Sequence, residues 1–358
     1  WGADDPSYTI DAQTYDGLVR DAQPTGAAVP APGNQEMVIV FANGNAGPGT
    51  GTVGTPATAK NVISVGAAEN VQAFGGADAS GVSDSGANSV NDIISFSSRG
   101  PTSDGRRKPD LMAPGTHVSG GVAQAANPGP TGTADPCFNA SGVSGGPGGS
   151  NFFPTAGQQL YTASSGTSHS CPGVAGGCAL IRQFFINQGG QPPSPAMTKA
   201  ILMNSARYMS GTGALDTLWS NSQGMGEMNL AEAFKRELNP VAIIRDQEDL
   251  FTASGQSIEF NGSVTDSAQS FRVTLAWTDA PGSTSGAAFK NDLDLTVTIA
   301  GNTYLGNVFG GAFSATDGSR DSRNNVESVF LLPGISGDFT VTITAANINS
   351  DGVPNNGL

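Results

Sequence analysis

Apolar positions follow two different periods in the two parts of the chain. Unbroken apolar runs at residues 37–42 and 61–67 predict strands that are buried on both faces of a parallel sheet. Beyond residue 240 apolar and polar positions alternate, which predicts the short strands of an all-β jelly roll or sandwich. The alternation is clearest at residues 269–277, 293–299, 326–332 and 338–343. The pattern therefore predicts an α/β domain over residues 1–238 and a β-jelly-roll domain over residues 239–358.

Helices are predicted only in the first part. Residues 10–22 form one, with Pro24 beyond its end. A second helix begins after Ser194, which is a good N-cap followed by a proline, and runs to about residue 208. A short helix is predicted to end near residue 235.

The longest predicted helix follows the stretch G-T-S-H-S-C-P-G-V-A-G-G at residues 166–177. Apolar residues recur there at three- and four-residue steps, and Pro172 fits only the first turn, so the helix should begin close to Ser168. Each glycine at 173, 176 and 177 would cost about 1 kcal/mol in an exposed helix. We therefore expect this helix to be buried through the centre of the domain, with close neighbours at all three glycines.

Ser168 admits two interpretations. At a helix N-terminus its oxygen lies beside free N–H groups and the positive end of the helix dipole, which stabilise a developing negative charge. The alternative is an ordinary N-cap serine on a buried helix.

Composition and charge exclude several classes of function. The chain has 37% hydrophobic and 13% charged residues and 50 glycines, which is typical of a loop-rich globular protein. Its net charge of −14 argues against a nucleic acid or an anionic membrane surface as partner. No apolar run reaches membrane-spanning length. The acidic balance favours a secreted protein with calcium as counter-ion.

Two motifs together resemble those of the subtilisin-like serine proteases, the subtilases. The pattern G-T-S-x-S-x-P-x-V-A-G resembles their nucleophile motif, which implies that Ser168 is the nucleophile. It departs at His169, where the family usually has Met, and at Gly173, where it often has His. The sequence V-F-A-N-G-N-A-G-P resembles the strand that ends in the oxyanion-hole asparagine, which implies that role for Asn45. Taken alone, Asn45 would be a turn asparagine.

The resemblance extends over nearly the whole chain. It implies that Pro56 follows a cis peptide bond and that residues 94–101 and 108–115 support the nucleophile. It places substrate contacts at Trp1, Gly2, Ala42, Asn43, Gly44, Gly54 and Thr167. The second part is similar to the C-terminal jelly-roll domain of a subtilase subgroup.

A general base is missing from this sequence. The only histidines are His117, expected in a surface loop, and His169. Adjacent helical side chains diverge by about 100°, so His169 is poorly placed to act on Ser168. We therefore expect the triad Asp and His in an upstream segment of the same protease, with the present chain cut at both ends and inactive alone.

The predicted function is thus a secreted serine endopeptidase that hydrolyses peptide bonds through an acyl-enzyme on Ser168. Its expected partners are a protein or peptide substrate and the missing N-terminal segment, with no nucleic acid, membrane or organic cofactor. The alternative is a catalytically inactive subtilase-like protein that binds peptide or glycan.

Structural calcium is expected in the second part, because hard cations bind carboxylate and carbonyl oxygens in such acidic loops. The candidate ligands are Asp279, Asp292, Asp294, Asp317, Asp321 and Asn325. The alternative is a solvated acidic surface.

Two further expectations concern the cysteines and one long loop. Cys171 and Cys178 would lie about 10 Å apart on one helix, which is too far for a disulfide. We expect both to be small buried thiols. Cys137 could reach one of them. The loop at residues 120–157 is expected to overhang the cleft.

Overall fold

The computed structural model describes residues 3–135, 157–235 and 243–354. The helices are α1 (Ile10–Arg20), α2 (Thr167–Asn187), α3 (Pro195–Ser205) and α4 (Leu230–Phe234). The strands of the first part are β1 (Val40–Ala42), β2 (Ile63–Ala68), β3 (Leu111–Pro114), β4 (Val118–Gly121) and β5 (Tyr161–Ser164). Those of the second part are β6 (Ser257–Val264), β7 (Phe271–Ala276), β8 (Asp292–Ile299), β9 (Asn302–Leu305), β10 (Phe309–Gly310), β11 (Phe313–Ser314), β12 (Val326–Leu331) and β13 (Gly337–Asn347). Within the described ranges no helix is long and apolar enough to cross a membrane.

A parallel sheet in the order β1-β2-β3 forms the centre of the first part. Strand β2 is buried along its whole length, as predicted. Strand β1 is only half-buried, and it spans three of the six residues predicted. The prediction of burial on both faces is wrong there because β1 lies at the edge of this sheet.

Helix α2 packs across all three strands and closes one face of the sheet. The core between them contains Val65, Leu111, Val174, Ile181 and Leu202. Helix α3 extends this core and begins at its predicted N-cap, where Ser194 Oγ accepts a hydrogen bond of 3.0 Å from the Met197 amide. It ends at residue 205, three residues before the predicted end, because Ala206 leaves the helical conformation.

Helix α2 begins next to Ser168, as predicted, but much of its surface is uncovered. A Cβ on Gly177 would lie 2.7 Å from Met228 Sδ, whereas one on Gly173 or Gly176 would meet nothing within 4 Å. The expectation of close neighbours at all three glycines is therefore wrong for two of them. Pro172 also lies in the second turn of the helix rather than the first.

An apolar strip runs along the uncovered side of α2. We call it the open face of α2; it consists of Pro172, Ala175, Gly176, Ala179, Leu180 and Ile186. Leu180 is 54% exposed and Ile186 is 44% exposed. The described residues thus leave the side of α2 away from the sheet without a packing partner.

The second part is built from antiparallel strands, which confirms the prediction of an α/β part followed by an all-β part. Four strands pair in the order β6-β13-β8-β9, and β7 pairs with β12. Their apolar faces enclose Leu295, Val297, Ile299, Val329 and Leu331. The predicted boundary at residue 238 lies outside the described residues, and the jelly-roll topology stays a prediction.

A buried ion pair joins the two parts. Lys60 Nζ lies 2.6 Å from Asp279 Oδ2 and 2.8 Å from the Ala288 carbonyl oxygen, and both charged side chains are about 1% exposed. Beside it, Asn61 Nδ2 donates to the Asp279 carbonyl at 2.7 Å, and the Asp279 amide donates back to Asn61 Oδ1 at 2.9 Å. Because an unpaired buried charge is strongly unfavourable, this arrangement fixes the β-rich part against the α/β part.

A second buried charge cluster lies below the sheet, in the stretch predicted to support the nucleophile. Asp110 Oδ2 accepts hydrogen bonds of 2.8 Å from Lys108 Nζ and from the Ser64 amide. Lys199 Nζ lies 3.1 Å from the other oxygen of the same carboxylate. Burial lowers the pKa of Lys108 to about 7.

Candidate active site

Ser168 is the second residue of α2, and its side chain is exposed. The turn before it rests on the end of β3, where the Gly166 amide donates to the Gly115 carbonyl at 2.8 Å. A Cβ at Gly115 would lie 2.3 Å from Ser170 Oγ, so only glycine permits this approach. The contact places the Ser168 hydroxyl at the solvent-facing N-terminus of α2, beside amide groups that have no partner within the helix.

Asn45 lies beside this turn, on the loop that follows β1. Its Oδ1 accepts hydrogen bonds from the Thr167 amide at 2.9 Å and from Thr167 Oγ1 at 2.8 Å. Since a backbone N–H can only donate, the atom facing it must be the oxygen, and Nδ2 is left with its protons directed elsewhere. A Cβ on Gly166 would lie 3.6 Å from this Nδ2. The Nδ2 donor of Asn45 is therefore held next to Gly166, two residues before Ser168.

The predicted substrate contacts lie along the same edge of the sheet. Ala42 ends β1, and the Gly54 amide donates to the Asn43 carbonyl at 2.9 Å. The Asn43 side chain is buried and donates to the Ser98 carbonyl, so only its backbone is available to a ligand. A Cβ on Gly54 would lie 2.5 Å from the Ala3 carbonyl oxygen. These contacts join the end of β1 to the stretch around Gly54, and we call this surface the wall.

The chain start approaches this wall as well. Ala3 forms an antiparallel bridge with Thr55, and its amide donates to the Thr55 carbonyl at 3.2 Å. The predicted contacts Trp1 and Gly2 lie outside the described residues. The Thr55–Pro56 peptide bond is cis, which confirms the sequence-based prediction.

Neither histidine hydrogen-bonds Ser168. His169 Nε2 bonds Ser164 Oγ, and the buried Nδ1 has no partner in the described structure. Burial lowers the pKa of His169, which favours the neutral imidazole. His117 directs its ring nitrogens to the carbonyl oxygens of Gln72 and Val82.

The expectation that His117 lies in a surface loop is wrong, because the residue is fully buried. Its backbone has a φ of 49°, which turns the side chain under a segment 35 to 45 positions earlier in the chain. No local pattern around residue 117 carries a signal for this contact.

Both cysteines of α2 are free, as expected, but only Cys178 is buried; the expectation of a buried thiol is wrong for Cys171, which is half-buried. Burial raises the pKa of Cys178 to about 12, so this thiol is unreactive. Cys137 lies outside the described residues, as does most of the loop predicted to overhang the cleft.

A comparison against family models identifies the family of this chain. The model described as the Subtilase family matches residues 1–226. The chain belongs to the Subtilase family.

Curated relatives of this subtilase are named as serine proteases. The Serine protease/ABC transporter B family protein tagD of Dictyostelium discoideum is 27% identical over 300 residues, which are 68% of this chain and 15% of that protein. Serine protease AprX of Bacillus subtilis is 32% identical over 173 residues, which are 48% of this chain and 31% of that protein. The subtilase chain thus spans less than a third of the length of these relatives.

Solved structures show weaker similarity to this subtilase. The crystal structure of a lanthipeptide protease is 19% identical with a TM-score of 0.38, covering 63% of this chain and 54% of that one. The self-cleaved protease domain of PatA is 20% identical with a TM-score of 0.33, covering 56% of this chain and 49% of that one.

Three of the six predicted calcium ligands of this subtilase, Asp279, Asn325 and Asp317, lie in different surroundings. Both carboxylate oxygens of Asp279 are engaged, by Lys60 and by the amides of Lys290 and Asn291. Asn325 donates its amide to the Trp277 carbonyl at 2.9 Å. Asp317 is exposed in a loop.

The other three lie around a carboxylate that the sequence analysis missed. Glu327 is 1% exposed; its Oε2 accepts from the Leu295 amide, and its Oε1 is buried without a partner. Burial, together with the charges of Asp321, Asp294 and Asp292, raises the pKa of Glu327 to about 9. Glu327 lies in a short, mostly apolar strand with no other carboxylate, so no acidic pattern in the sequence marks it.

These carboxylates do not form a ready metal site in their present positions. Across residues 3–135, 157–235 and 243–354, no group of three or more His, Cys, Asp or Glu side chains is arranged to hold a metal ion. Burial and the nearby Asp294 raise the pKa of Asp292 to about 6, and its Oδ1 is buried without a partner. Arg320 Nη1 lies 3.3 Å from Asp294 Oδ2 and compensates part of the negative charge of this cluster.

Proposed function

We propose that this subtilase is a serine endopeptidase in which Ser168 attacks the peptide carbonyl and forms an acyl-enzyme. The position of Asn45 is the observation that carries the proposal. Because Thr167 holds Oδ1 with two hydrogen bonds, Nδ2 is oriented beside the nucleophile before any substrate arrives. A preoriented donor of this kind stabilises the oxyanion of the tetrahedral intermediate.

The reaction also requires a general base for Ser168, in addition to the nucleophile and the oxyanion donor. As Ser168 Oγ forms its bond to the carbonyl carbon, its proton must pass to a base, which later returns a proton to the leaving amine. The bonded ring nitrogens of the two histidines pair with Ser164, Gln72 and Val82 and not with Ser168. We therefore propose that the base and the acid that orients it come from outside the described residues.

We place that source in an upstream segment of the same protease, which packs on the open face of α2 and beside β1. Leu180 is 54% exposed, and Gly173 and Gly176 leave free space above the helix. β1 presents an unpaired edge within the described sheet. A segment covering both would bury apolar surface and bring its side chains within reach of the N-terminus of α2.

Labelling by a fluorophosphonate tests this arrangement. We expect no labelling of Ser168 in the 358-residue chain and brisk labelling when the upstream segment is co-expressed. Gly176→Leu should abolish labelling in the co-expressed complex, because the new side chain fills the docking face, yet leave the isolated chain folded. Leu332→Ala, at an exposed site in the second part, is the matched control. Rapid labelling of the isolated chain would contradict the proposal.

Asn45→Ala tests the oxyanion role in the active complex. Loss of one oxyanion donor lowers kcat by about 10²–10³ in related chemistry. We expect a fall of this size with KM nearly unchanged, and Asn302→Ala, at an exposed position of β9 in the second part, should have no effect. Unchanged kcat in Asn45→Ala would remove Asn45 from the mechanism.

A second candidate function follows from the engagement of both histidines. A subtilase without a base would bind peptides in the cleft and not cleave them. Peptide binding without hydrolysis, even in the presence of the upstream segment, would support this alternative over the endopeptidase.

We further propose that the protein is secreted and binds structural calcium near Glu327, Asp292 and Asp294. The acidic net charge of −14 supports both proposals. The unpartnered buried oxygens of Glu327 and Asp292 fit the donor preference of a hard cation, although the carboxylates must move to share one. A ligand that binds only the native state raises the melting temperature, so calcium should raise it and a chelator should lower it. Glu327→Gln should weaken this response, and identical melting in both conditions would refute the calcium site.

A further inference from the structure

A polar segment beside the nucleophile turn is organised by two aspartates. We call residues 69–88 the brace segment. Asp84 accepts hydrogen bonds from the amides of Phe74 at 2.8 Å and Gly75 at 2.9 Å. Asp78 Oδ1 accepts from the amides of Ser80 at 2.9 Å and Val82 at 3.0 Å. These bonds give a stretch without long strands a defined backbone.

The brace segment contacts the chain immediately before the nucleophile. Ser165 Oγ donates to Asp78 Oδ2, and the Ser165 amide donates to Ser80 Oγ at 2.9 Å. Ser165 Oγ in turn accepts from the His117 amide at 2.9 Å. Ser165, three residues before Ser168, is thus hydrogen-bonded both to the brace segment and to the His117 amide.

The His117 side chain contacts the brace segment at two positions, Gln72 and Val82. Its Nδ1 lies 2.6 Å from the Gln72 carbonyl oxygen, and its Nε2 lies 2.9 Å from the Val82 carbonyl oxygen. Carbonyl oxygens only accept hydrogen bonds, so a ring that bonds both of them at once donates from each nitrogen, as an imidazolium does.

The surroundings of the ring compensate its charge. Asp84 Oδ1 lies 3.7 Å from Nδ1, and the ring of Phe74 stacks on the imidazole with 5.0 Å between centroids. Beyond Ser165, Asp78 is the other carboxylate that faces this region. A buried cation requires such partners, since charge without them is strongly unfavourable.

The backbone of His117 is held in an uncommon conformation. Its φ of 49° lies in the left-handed region, which a residue with a Cβ rarely adopts. Such strain persists where the surrounding contacts determine the conformation, and it clusters at functional sites. Here it allows one residue to bond Ser165 through its amide and the brace segment through its ring.

We propose that charged His117 is a positioning residue for the nucleophile, clamping the brace segment against Ser165 and so fixing the turn that presents Ser168. The proposal rests on the proposed function only in taking Ser168 as the nucleophile. The clamp itself is a structural arrangement that can be measured without catalysis.

Nitrogen NMR of the histidine rings tests the charge. The sequence has two histidines, so His169→Met leaves the His117 ring as the single imidazole signal. At about pH 6, where free histidine is largely charged, we expect two protonated ring nitrogens whose protons exchange slowly with water. A His117 ring with one unprotonated nitrogen under these conditions would overturn the proposal.

Hydrogen exchange tests the clamp. His117→Phe keeps an aromatic ring to stack on Phe74 but removes both donors. We expect the amides of Val82 and Ser165 to exchange roughly tenfold faster or more, while the Val65 amide in β2 keeps its wild-type rate. His169→Phe, which changes the other histidine, should leave Val82 unaffected. Equal rates for Val82 and Ser165 in the wild type and His117→Phe would contradict the clamp.

Kinetics of the active complex separate positioning from general stability. If the clamp orients Ser168, His117→Phe should lower kcat and leave KM nearly unchanged, measured well below the melting temperature. An unchanged kcat would contradict the positioning role. Asn45→Ala tests the proposed function independently. An unchanged kcat in that variant would refute the oxyanion role of Asn45, but it would not affect the ring charge of His117 or the hydrogen-exchange pattern.

Discussion

Individual side chains around Ser168 are held by partners from remote parts of the chain. Asn45 and Thr167 are 122 positions apart and share two hydrogen bonds. His169, by contrast, is held locally, through Ser164 five positions before it. The reactivity of the site therefore depends on a few polar contacts, each open to a single substitution.

Peroxide resistance is the first prediction at this scale. A thioether beside the nucleophile is oxidised to a bulky polar sulfoxide, whereas the imidazole of His169 has no such reaction. We expect the active complex to keep most of its activity in peroxide and the His169→Met variant to lose it with time. Both are assayed after matched exposures; equal loss in both forms would show that another residue is the sensitive one.

Glu327 gives a prediction about pH. Its pKa is about 9 in the folded protein, against 4.5 ordinarily. The unfolded chain thus ionises first, and the stability that protonated Glu327 contributes is lost as the pH rises between these values. In chelator at about pH 8, Glu327→Gln should raise the free energy of unfolding by at least about 1 kcal/mol, because a one-unit pKa change corresponds to about 1.4 kcal/mol.

The two forms should differ little at about pH 4, where Glu327 is protonated in both states. Urea unfolding at the two pH values measures the difference. A constant difference across this range would show that Glu327 is not the group responsible.

The sequence predicted residues that lie in recognisable motifs and missed those marked only by distant contacts. Ser168 and Asn45 could be selected because each lies in a motif that resembles a subtilase motif, even though Asn45 is held by Thr167, 122 positions away. His117 could not, because its burial depends on carbonyl groups 35 and 45 positions away. The sequence offers Asp279 as a candidate metal ligand among other acidic residues, and it carries no sign of the ion-pair partner Lys60, which is 219 positions away.

At the scale of elements, helix α2 has one tightly packed side and one open side. Gly177 packs against Met228, whereas a Cβ on the neighbouring Gly176 would meet no atom within 4 Å. The sequence predicted a start of α2 near Ser168, although Pro172 lies in the second turn and not in the first. It could not predict which side is covered, since that depends on which other segments pack there.

Adjacent glycine substitutions separate the two sides. Gly176→Ala should stabilise the isolated chain by about 1 kcal/mol, because alanine is the better helix former and its methyl group meets nothing. Gly177→Ala should destabilise it by roughly 1–3 kcal/mol through the contact with Met228 Sδ at 2.7 Å. Urea unfolding of the pair measures both; the same sign in both variants would contradict the packing described for α2.

At the scale of the molecule, the two parts share a buried ion pair as well as a peptide connection. The change in hydrophobic period near residue 240 correctly indicated an all-β second part. No periodicity reveals that Lys60 reaches Asp279, because complementary charges leave no repeating signal along a sequence. The two parts are consequently expected to unfold together.

Lys60→Met tests this coupling. The variant leaves Asp279 buried without its cation, which typically destabilises by about 3–5 kcal/mol. We expect a single, earlier unfolding transition reported alike by Trp219 in the first part and Trp277 in the second. Lys235→Met, which removes a side chain that is 44% exposed, is the control. Separate transitions for the two tryptophans in the wild-type chain would contradict the coupling.

The buried lysines also change how the folded surface would react with acylating reagents. Of the five lysines in the sequence, Lys60, Lys108 and Lys199 are at most 2% exposed. Among lysine side chains, an amine-directed reagent, or a protease that cleaves after lysine, would therefore find Lys235 and Lys290 accessible in the native molecule and the three buried lysines protected. Mass spectrometry after brief acylation would then count folded and unfolded molecules by their number of modified lysines, with no need for catalysis or a bound ligand.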